Sequence, residues 1–433
     1  MKTSVNSNTN NTKSCLACGA ETLEEVLDLG LQAPANNLLS SLDEKDYWVY
    51  QLGIEACLTC GHGQLTKFVS PEEMFSDYLY VSSTSQTMRD HMAKLANFVL
   101  NLKGTNTSVL ELGSNDGLFL KSLKDVGIND FCGVDPAENI ASTANEEGLT
   151  TVVGFWPDVA DQFEDNSYDV VIGQNVFAHT LDPHAALKEV KRVLKSDGFA
   201  IFQTSQADMI ANGEFDTIYH EHCSFFCENS MDSLAKRVGM KLAYTHYVEM
   251  HGNSSLYVLV NEDIEPDTAS IELAVVSAGL YLVEAKDERT AKIRKDRAVA
   301  DWEQFYQIAN GKKSDANEVV NEWRERNYRV ISVGAAAKGI TFLRAANLSI
   351  DCILDEAPLK VGKFVPGLGV QIVDFSNVAV DDAYIISAWN FAKEIALKLV
   401  QNGANPDAPC FLYFPETVVT TLGYLAVNGS VFK

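Results

Sequence analysis

Two segments of the sequence carry side chains that could do chemistry, and they lie about a hundred residues apart. The second segment, FDTIYHEH, ends with a phenol, a carboxylate and two imidazoles at Tyr219, His220, Glu221 and His222. An imidazole titrates near neutral pH, so it can act as a general base that its neighbours orient. In a strand Tyr219 and Glu221 would share one face and the histidines the other, whereas a turn would change that. The alternatives are a metal site, which lacks the usual helical spacing, and a buried polar network.

The first segment, VLELGSNDG, is typical of a loop that binds a nucleotide-type cofactor. It follows an apolar strand and precedes a helical run, so a ligand can approach the backbone and the free N–H groups of the helix. Glu111 before the first glycine and a single later glycine resemble the S-adenosylmethionine (SAM) loop more than the dinucleotide fingerprint of a nicotinamide enzyme. Asp135, after the next strand, can hold ribose hydroxyls. The predicted cofactor residues are Glu111, Gly113, Ser114, Asn115, Gly117, Asp135, Pro136 and Asn175.

Two matching C-x2-C knuckles near the N-terminus, CLACG and CLTCG, predict a metal site. Four thiolates suit a tetrahedral zinc ion, and a closed thiolate shell makes the ion structural. The predicted ligands are Cys15, Cys18, Cys57 and Cys60. His62 as a substitute ligand, free structural cysteines and a redox pair are the alternatives.

Hydrophobic patterning predicts the elements that must position these groups. A helix is expected at about 86–103, and from about 107 strands and helices alternate, which predicts a parallel sheet with helices on both faces. A long helical stretch is expected at about 268–326, and a second αβ unit begins at Tyr328. The predicted α/β fold has a small N-terminal zinc module, a central class I SAM-dependent methyltransferase sheet of Rossmann-like type and a C-terminal Rossmann-like domain. The predicted divisions are a disordered tail at 1–13, a zinc-binding domain at 14–80, a SAM-binding domain at 81–262 and a C-terminal domain with a leading helical segment at 263–433.

Composition limits the partners of the chain. A net charge of -25 with no basic run argues against a nucleic-acid partner, which needs concentrated Lys and Arg. The sequence contains no apolar stretch of about 20 residues and so predicts no membrane span. The N-terminus lacks the apolar centre of a signal peptide. Cysteine usage fits a reducing compartment, so we expect a cytoplasmic protein, as a monomer or weak homo-oligomer.

Taken together, the chain resembles the nucleotide-sugar C-methyltransferase family over about residues 14–420. The resemblance rests on both knuckles, on DYLYVSSTSQTMRDH, ELGSNDG, GVDPAENI, QNVFAH and FDTIYHEH, and on MHGNSS, GAAAKGITFL, GKFVPG and SAWNFAKEI. It implies a three-part enzyme that methylates C3 of a 4-keto-6-deoxysugar carried on a nucleoside diphosphate.

The family motif also implies roles for individual residues. His222 would be the general base, Glu221 and Tyr219 would orient it, and His179 would lie near the keto oxygen. One tyrosine of the Y-x-Y-x-S-S segment would contribute to catalysis, Tyr80 in preference to Tyr78. The predicted substrate contacts are Tyr78, Asn175, His251, Lys338, Trp389 and Asn390.

Three positions depart from the family pattern. Gln203 stands where Glu is common, Leu256 where Arg is common, and Ile340 where Asn is common. With these changes, the resemblance does not determine which keto sugar is the substrate or which of its carbons is methylated. The GAAAKG segment can be a nucleotide-binding loop or a site of close strand–helix packing. The rival functions are a small-molecule O-methyltransferase and a non-catalytic zinc- and nucleotide-binding protein.

Overall fold

A computed structural model describes residues 4–5, 13–43, 47–75, 81–84, 86–250, 252–280 and 299–429. These residues form three β-sheets, an N-terminal, a central and a C-terminal one. No helix in these ranges is long and apolar enough to cross a membrane.

The N-terminal sheet is built mainly from antiparallel strands. Its strands are β1 Ser4–Val5, β2 Leu23–Gln32, β3 Trp48–Cys57, β4 Gly63–Leu65 and β10 Ser224–Phe225. β10 lies just after the FDTIYHEH segment and pairs with β4, with Ser224 opposite Gln64. The zinc module and the FDTIYHEH segment are therefore joined by a shared sheet. A short helix, Pro71–Phe75, follows β4.

The central sheet has seven strands in the order β11-β12-β9-β8-β5-β6-β7. Their bounds are β5 Ser108–Leu112, β6 Asp130–Asp135, β7 Thr151–Val153, β8 Tyr168–Gln174, β9 Leu194–Thr204, β11 Met240–Val248 and β12 Ser254–Asn261. Strands β5 to β9 are parallel, and β12 is antiparallel to both of its neighbours. The strand order reverses between β5 and β8, so a ligand site is expected at the carboxyl ends of these two strands.

Helices cover both faces of the central sheet, as predicted. They are Gln86–Lys103, Leu118–Asp125, Glu138–Glu146, Pro183–Val193, Met209–Asn212, Glu228–Arg237 and Thr268–Ser277. The helix Gln86–Lys103 buries Met88, Met92 and Leu95, which confirms the predicted apolar stripe. The helix Pro183–Val193 begins where the Asp182 carboxylate accepts a hydrogen bond from the Ala185 N–H, with a proline at its first position.

The C-terminal sheet also has seven strands, in the order β15-β16-β14-β13-β17-β18-β19. Their bounds are β13 Arg329–Val333, β14 Cys352–Leu354, β15 Phe364–Val365, β16 Val370–Val373, β17 Asp382–Ile386, β18 Pro409–Leu412 and β19 Val418–Thr421. Its helices are Val299–Glu325, Ala337–Ala345, Ala392–Gln401 and Leu422–Asn428. The helical stretch expected at 268–326 contains two described helices, Thr268–Ser277 and Val299–Glu325; residues 281–298 between them lie outside the described residues.

One hydrophobic core joins parts of the chain that are distant in sequence. It contains Leu27 and Ile54 of the N-terminal sheet, Phe215 of the FDTIYHEH segment, and Phe342 and Phe414 of the C-terminal part. The Phe215 ring lies 5.3 Å from the Phe342 ring, measured between centroids. The FDTIYHEH segment is therefore packed between all three sheets, which accounts for its nearly complete burial.

Candidate active site and cofactor site

The two cysteine knuckles have the same backbone geometry. In each, the N–H of the glycine after the second cysteine (Gly19, Gly61) donates to the carbonyl of the first cysteine at 2.9 Å, and both glycines have positive φ. The four sulfurs of the knuckles lie within 4.8 Å of one another. Two of the sulfur–sulfur distances, Cys15–Cys60 and Cys18–Cys57, are 3.6 Å. Four thiolates at the usual zinc–sulfur length of about 2.3 Å lie about 3.8 Å apart, so the four cysteines fit a tetrahedral zinc ion.

The central part of the chain holds the knuckles in place. Arg237 donates to the carbonyl oxygens of Leu16 and Ala17, and Asn229 donates to the carbonyl of Cys60. The Leu16 N–H donates to the buried Gln64 side chain at 2.9 Å. These contacts orient the ligand-bearing loops, which is the usual task of groups around a metal shell.

The cofactor loop lies at the carboxyl end of β5. Gly113 and Gly117 have φ of 68° and 78°, a region that favours glycine. A Cβ atom at Gly113 would lie 2.8 Å from a methyl group of Val176, so the loop has no room for a larger residue. The Asp135 carboxylate accepts from the Asn115 N–H at 2.8 Å and from the Ala137 N–H at 2.9 Å. Burial raises the pKa of Asp135.

The segment before the helix Gln86–Lys103 closes over this loop. The Ser82 N–H donates to the Asn115 side chain at 2.9 Å, and the Ser83 N–H donates to Asp116 at 3.2 Å. A cavity of about 750 Å³ is lined by residues that include Val81, Ser83, Gly117 and Asn139 and, from the C-terminal part, Leu359. None of the YHEH side chains lines this cavity.

Several buried polar atoms near the loop have no hydrogen-bond partner among the described residues. They are Glu111 Oε2, Ser114 Oγ, Gln174 Oε1, Asn175 Oδ1 and Gln203 Nε2. Burial and the nearby Asp135 and Asp116 raise the pKa of Glu111 well above its usual value. Buried groups of this kind are normally satisfied, so the set fits a polar ligand such as SAM.

The four YHEH residues form a turn, and the turn places Tyr219 and His222 side by side. Phe215–Thr217 is a short 3₁₀ helix, and the His222 N–H donates to the Tyr219 carbonyl. His222 Nδ1 lies 2.8 Å from the Thr217 carbonyl oxygen, and Tyr219 Oη lies 2.8 Å from His222 Nε2. Because Nδ1–H donates to the carbonyl, Nε2 holds the lone pair and accepts from the tyrosine hydroxyl.

His179 reaches the same place from the central sheet. It follows β8 in the short 3₁₀ helix Phe177–His179, four residues after Asn175. Its ring lies 5.1 Å from the His222 ring and stacks on Phe75 at 5.6 Å, measured between centroids. Burial lowers the pKa of His179 to about 4, so the imidazole is neutral at pH 7.

The remaining two YHEH side chains point towards the other modules. The Asn36 side chain donates to Glu221 at 2.6 Å. His220 lies edge-on to Tyr50 of β3, and burial together with Arg344 lowers the pKa of His220 to about 3. The turn therefore pairs Tyr219 with His222 and directs Glu221 and His220 to contacts with the zinc module.

The predicted C-terminal residues meet the start of the FDTIYHEH segment. The Trp389 indole N–H donates to Asp216 at 3.3 Å, and Lys338 Nζ lies 3.8 Å from Glu214 and 5.8 Å from the Trp389 ring centre. Burial raises the pKa of Asp216, and it raises that of Glu214 to about 7. These contacts link the C-terminal part to the Thr217 carbonyl that orients His222.

The GAAAKG and SAWN loops pack closely on each other. A Cβ atom at Gly339 would lie 2.7 Å from Ser387, and one at Gly334 would lie 2.8 Å from Ala388. Close packing accounts for both glycines, and contact of this loop with a nucleotide stays a prediction. Asn390 is exposed beside them, and Pro136 is half-buried at the end of β6.

Three predicted residues, Tyr78, Tyr80 and His251, lie outside the described residues. The structure brings the other predicted groups to two places: the cofactor residues around the ends of β5, β6 and β8, and the catalytic residues around the turn. Sequence reasoning did not assign Gln174, His91, Glu214 or Asp216 to the site. For Gln174 alone a signal was available, namely a polar residue at the end of an otherwise apolar buried strand.

The three departures from the family pattern occupy buried positions. Gln203 on β9 and Leu256 on β12 are opposite each other in the sheet register, so the two changes are neighbours. Ile340 is completely buried in the core shared with the N-terminal sheet.

Comparison with known proteins gives three family models in succession. A zinc binding domain matches residues 15–75, a methyltransferase domain matches 85–245, and a C-methyltransferase C-terminal domain matches 281–405. C-methyltransferase NovU of Streptomyces niveus is 29% identical over 397 residues, which are 88% of this chain and 90% of that protein. A ubiquinone biosynthesis O-methyltransferase of Hydrogenovibrio crunogenus is 28% identical over 32% of this chain and 63% of its own length. Among solved structures, protein PH0226 of Pyrococcus horikoshii aligns with 21% identity and a TM-score of 0.35, over 45% of this chain and 99% of that chain.

Proposed function

Because the chain belongs to the SAM-dependent C-methyltransferases that have a structural zinc module, we propose that it methylates C3 of a nucleoside-diphosphate-linked 4-keto-6-deoxysugar. His222 is the general base in this proposal. The observation that supports it best is the turn, in which the Thr217 carbonyl holds Nδ1–H and leaves the lone pair of Nε2 beside Tyr219 and His179. The C-methyltransferase relative supports carbon as the methyl acceptor.

Carbon becomes a nucleophile only after it loses a proton. The ketone at C4 acidifies the C3 hydrogen, because the electron pair of the C–H bond can move into an enolate. In the proposed step Nε2 of His222 takes the C3 proton and the C4 oxygen becomes negatively charged. The Tyr219 hydroxyl leaves Nε2 as the imidazole is protonated and turns to the sugar.

The neutral His179 suits the second task, stabilisation of the enolate oxygen. Its Nε2 is buried and has no partner among the described residues, so a hydrogen bond to an enolate requires no competing contact to be broken. SAM, when bound at the loop, supplies an electrophilic methyl group. The C–C bond at C3 would form as the S–CH3 bond breaks, which would leave S-adenosylhomocysteine as the second product and restore the C4 ketone.

The nucleoside diphosphate part of the substrate needs contacts beyond the turn. Lys338 and Trp389 border the turn from the C-terminal side, and Asn390 is exposed next to them. We assign these residues, together with Asn175 and the predicted Tyr78, Tyr80 and His251, to the substrate. None of the nine cysteines, all of which are described, forms a disulfide, and this is consistent with a reducing compartment, so we propose a cytoplasmic enzyme that acts as a monomer or weak homo-oligomer.

The test is solvent deuterium exchange at C3 of nucleotide-linked 4-keto sugars, followed by mass spectrometry with a labelled methyl donor. The wild-type protein should exchange the C3 hydrogen even without SAM, and His222→Gln should abolish the exchange. The same variant should lower kcat by a factor of about a hundred to ten thousand. His184→Gln, which changes a histidine elsewhere in the central part, is the matched control.

The two rival functions give different results in this experiment. An O-methyltransferase would transfer the label to a hydroxyl and show no exchange at C3. A non-catalytic protein would bind SAM and transfer nothing to any member of the substrate panel.

A further inference from the structure

One lysine of the C-terminal part is buried, and no step of the proposed reaction uses it. Lys312 lies in the middle of the helix Val299–Glu325, and only 6% of the residue is exposed. Its ammonium donates to the carbonyl oxygens of Tyr413 and Pro415, each at 2.8 Å. A buried ammonium is costly unless opposite charges compensate it, so carboxylates are expected nearby.

The buried carboxylates that face Lys312 lie at the start of the FDTIYHEH segment. Glu214 immediately precedes the segment, and Asp216 is its second residue. Burial lowers the pKa of Lys312 to about 8, and the charges of Glu214, Asp315, Glu416 and Asp216 oppose this shift. Asp315 and Glu416 reach solvent, whereas Glu214 and Asp216 are buried. The two buried acids therefore need counter-charges from within the protein.

Two lysines supply these counter-charges. Lys338 Nζ lies 3.8 Å from Glu214. Burial raises the pKa of Asp216, and the charges of Lys338 and Lys312 act against that rise. Lys312, Lys338, Glu214 and Asp216 thus form a charge cluster with two positive and two negative members. Balanced charge is the condition under which a protein tolerates ions in its interior.

Aromatic rings connect Lys312 with the same segment. The Phe414 ring lies 4.9 Å from the ammonium nitrogen, and its centroid is 5.9 Å from that of Phe215 and 5.8 Å from that of Trp389. The Trp389 indole N–H in turn donates to Asp216. Lys312 therefore fixes the chain that follows β18 against the start of the FDTIYHEH segment, through packing as well as through charge.

We propose that Lys312 is a positioning residue for proton transfer to His222. Its charge keeps Glu214 and Asp216 ionised and so holds the segment whose Thr217 carbonyl orients the imidazole. The inference rests on the proposed function, since it takes His222 to be the base. Loss of the Lys312 charge should impair the removal of the C3 proton and leave cofactor binding intact, because the cofactor loop belongs to the central sheet.

The test removes the charge of Lys312 and keeps a hydrogen-bond donor, in the variant Lys312→Gln. Burial raises the pKa of Glu214 to about 7 and lowers that of Lys312 to about 8, so assays of the wild type at a pH between these values keep most of both groups charged. In the full-length, zinc-loaded variant we expect C3 hydrogen exchange and kcat to fall by about tenfold. The dissociation constant of S-adenosylhomocysteine, measured by calorimetry, should change by less than about twofold.

A second substitution separates the effect of charge from general damage. The double variant Lys312→Gln, Glu214→Gln again has equal charges of both signs, on Lys338 and Asp216. Its exchange rate should return to within about threefold of the wild type, because the remaining ions balance. A role limited to the carbonyl hydrogen bonds of Lys312 would not be rescued by this change.

The control is Lys191→Gln, which changes a partly buried lysine that donates to the Gly239 carbonyl of the central part. It should keep the exchange rate of the wild type, because Lys191 lies outside the charge cluster.

Three outcomes would overturn the inference. One is an unchanged exchange rate in Lys312→Gln. Another is an equal loss of exchange and of S-adenosylhomocysteine binding in this variant, which would mean that Lys312 maintains the fold as a whole. The third is a double variant that is no faster than the single one. All three leave the proposed function intact, whereas a wild-type protein that does not exchange the C3 hydrogen would overturn the proposed function and this inference with it.

Discussion

Three histidines near the active site are neutral at pH 7 because burial makes the charged form costly. His91 fixes an amide and His179 faces the His222 ring, whereas His220 packs against Tyr50 of the zinc module. Of these, His220 has the lowest pKa, about 3, and the Arg344 charge adds to the effect of burial. An imidazole that is neutral in the folded protein makes the free energy of unfolding depend on pH, because the same group takes up a proton in the unfolded chain at about pH 6.5.

His220 should therefore make the stability of the protein depend on pH. Its folded pKa is depressed, so its contribution is present above about pH 6.5 and is lost as the pH falls towards about 3. Between pH 7 and pH 5 the loss is about 2 kcal/mol. Denaturant unfolding of wild-type protein and His220→Gln at the two pH values checks this: the variant should lose about 2 kcal/mol less than the wild type. An identical pH dependence in both proteins would contradict the assignment.

At the scale of elements, the FDTIYHEH segment depends on contacts at both of its ends. Its beginning is buried against the C-terminal part through Phe215 and Asp216, and its end continues into β10 of the zinc module. The Thr217 carbonyl, which orients His222, lies between these anchors. A carbonyl that two packed ends hold in place cannot rotate freely, so the imidazole tautomer is preset before substrate binds.

Loss of the Trp389–Asp216 hydrogen bond should reduce proton removal by His222 more than it reduces SAM binding. Trp389→Phe keeps an aromatic ring beside Lys338 but loses the N–H that donates to the buried Asp216 carboxylate. We expect kcat to fall by about tenfold, as for one lost hydrogen bond to a charged group, with the KM for SAM unchanged. Steady-state kinetics measure this split. Trp156→Phe, which loses an indole hydrogen bond to the Ala186 carbonyl, is the control and should keep its kcat.

At the scale of the whole molecule, the three sheets form one unit around the turn. The zinc module supplies Asn36 to Glu221 and Tyr50 to His220, and the C-terminal part supplies the contacts of Asp216 and Glu214. The cofactor loop, by comparison, is built almost wholly from the central sheet. The zinc module therefore contacts the turn directly, through Asn36 and Tyr50, in addition to forming its own metal site.

Loss of zinc should accordingly reduce turnover without abolishing cofactor binding. In Cys18→Ser one of the four thiolates is missing, so the ion is bound less tightly and the knuckles loosen. We expect a fall in kcat and a lower unfolding temperature, with S-adenosylhomocysteine affinity within about threefold of wild type because no cofactor contact is removed. Zinc content, kinetics and calorimetry on the variant and on Cys132→Ser check this. A variant that lacks zinc and keeps full turnover would contradict it.

Much of the fold follows from the sequence alone. The helix Gln86–Lys103 and the alternation of strands and helices from about residue 107 match the prediction, because alternating and 3.6-residue patterns record which side of an element is buried. The short strands β15, β16 and β19 of the C-terminal sheet were not predicted. The glycine at the end of each knuckle has the left-handed backbone that favours this residue. The predicted divisions between domains stay predictions, as does the role of each site residue.

The sequence by itself determined the kinds of chemistry: four thiolates at matching spacing, a glycine loop between strand and helix, and imidazoles beside a phenol. These follow from residue types and short-range spacing. Only the tertiary structure decided that a turn sets Tyr219 against His222 and turns Glu221 and His220 towards the zinc module. It also decided that Gln174 contacts Glu111 and lies opposite Gln203. Contacts between strands depend on sheet order and register, which bring together residues that the chain itself keeps far apart.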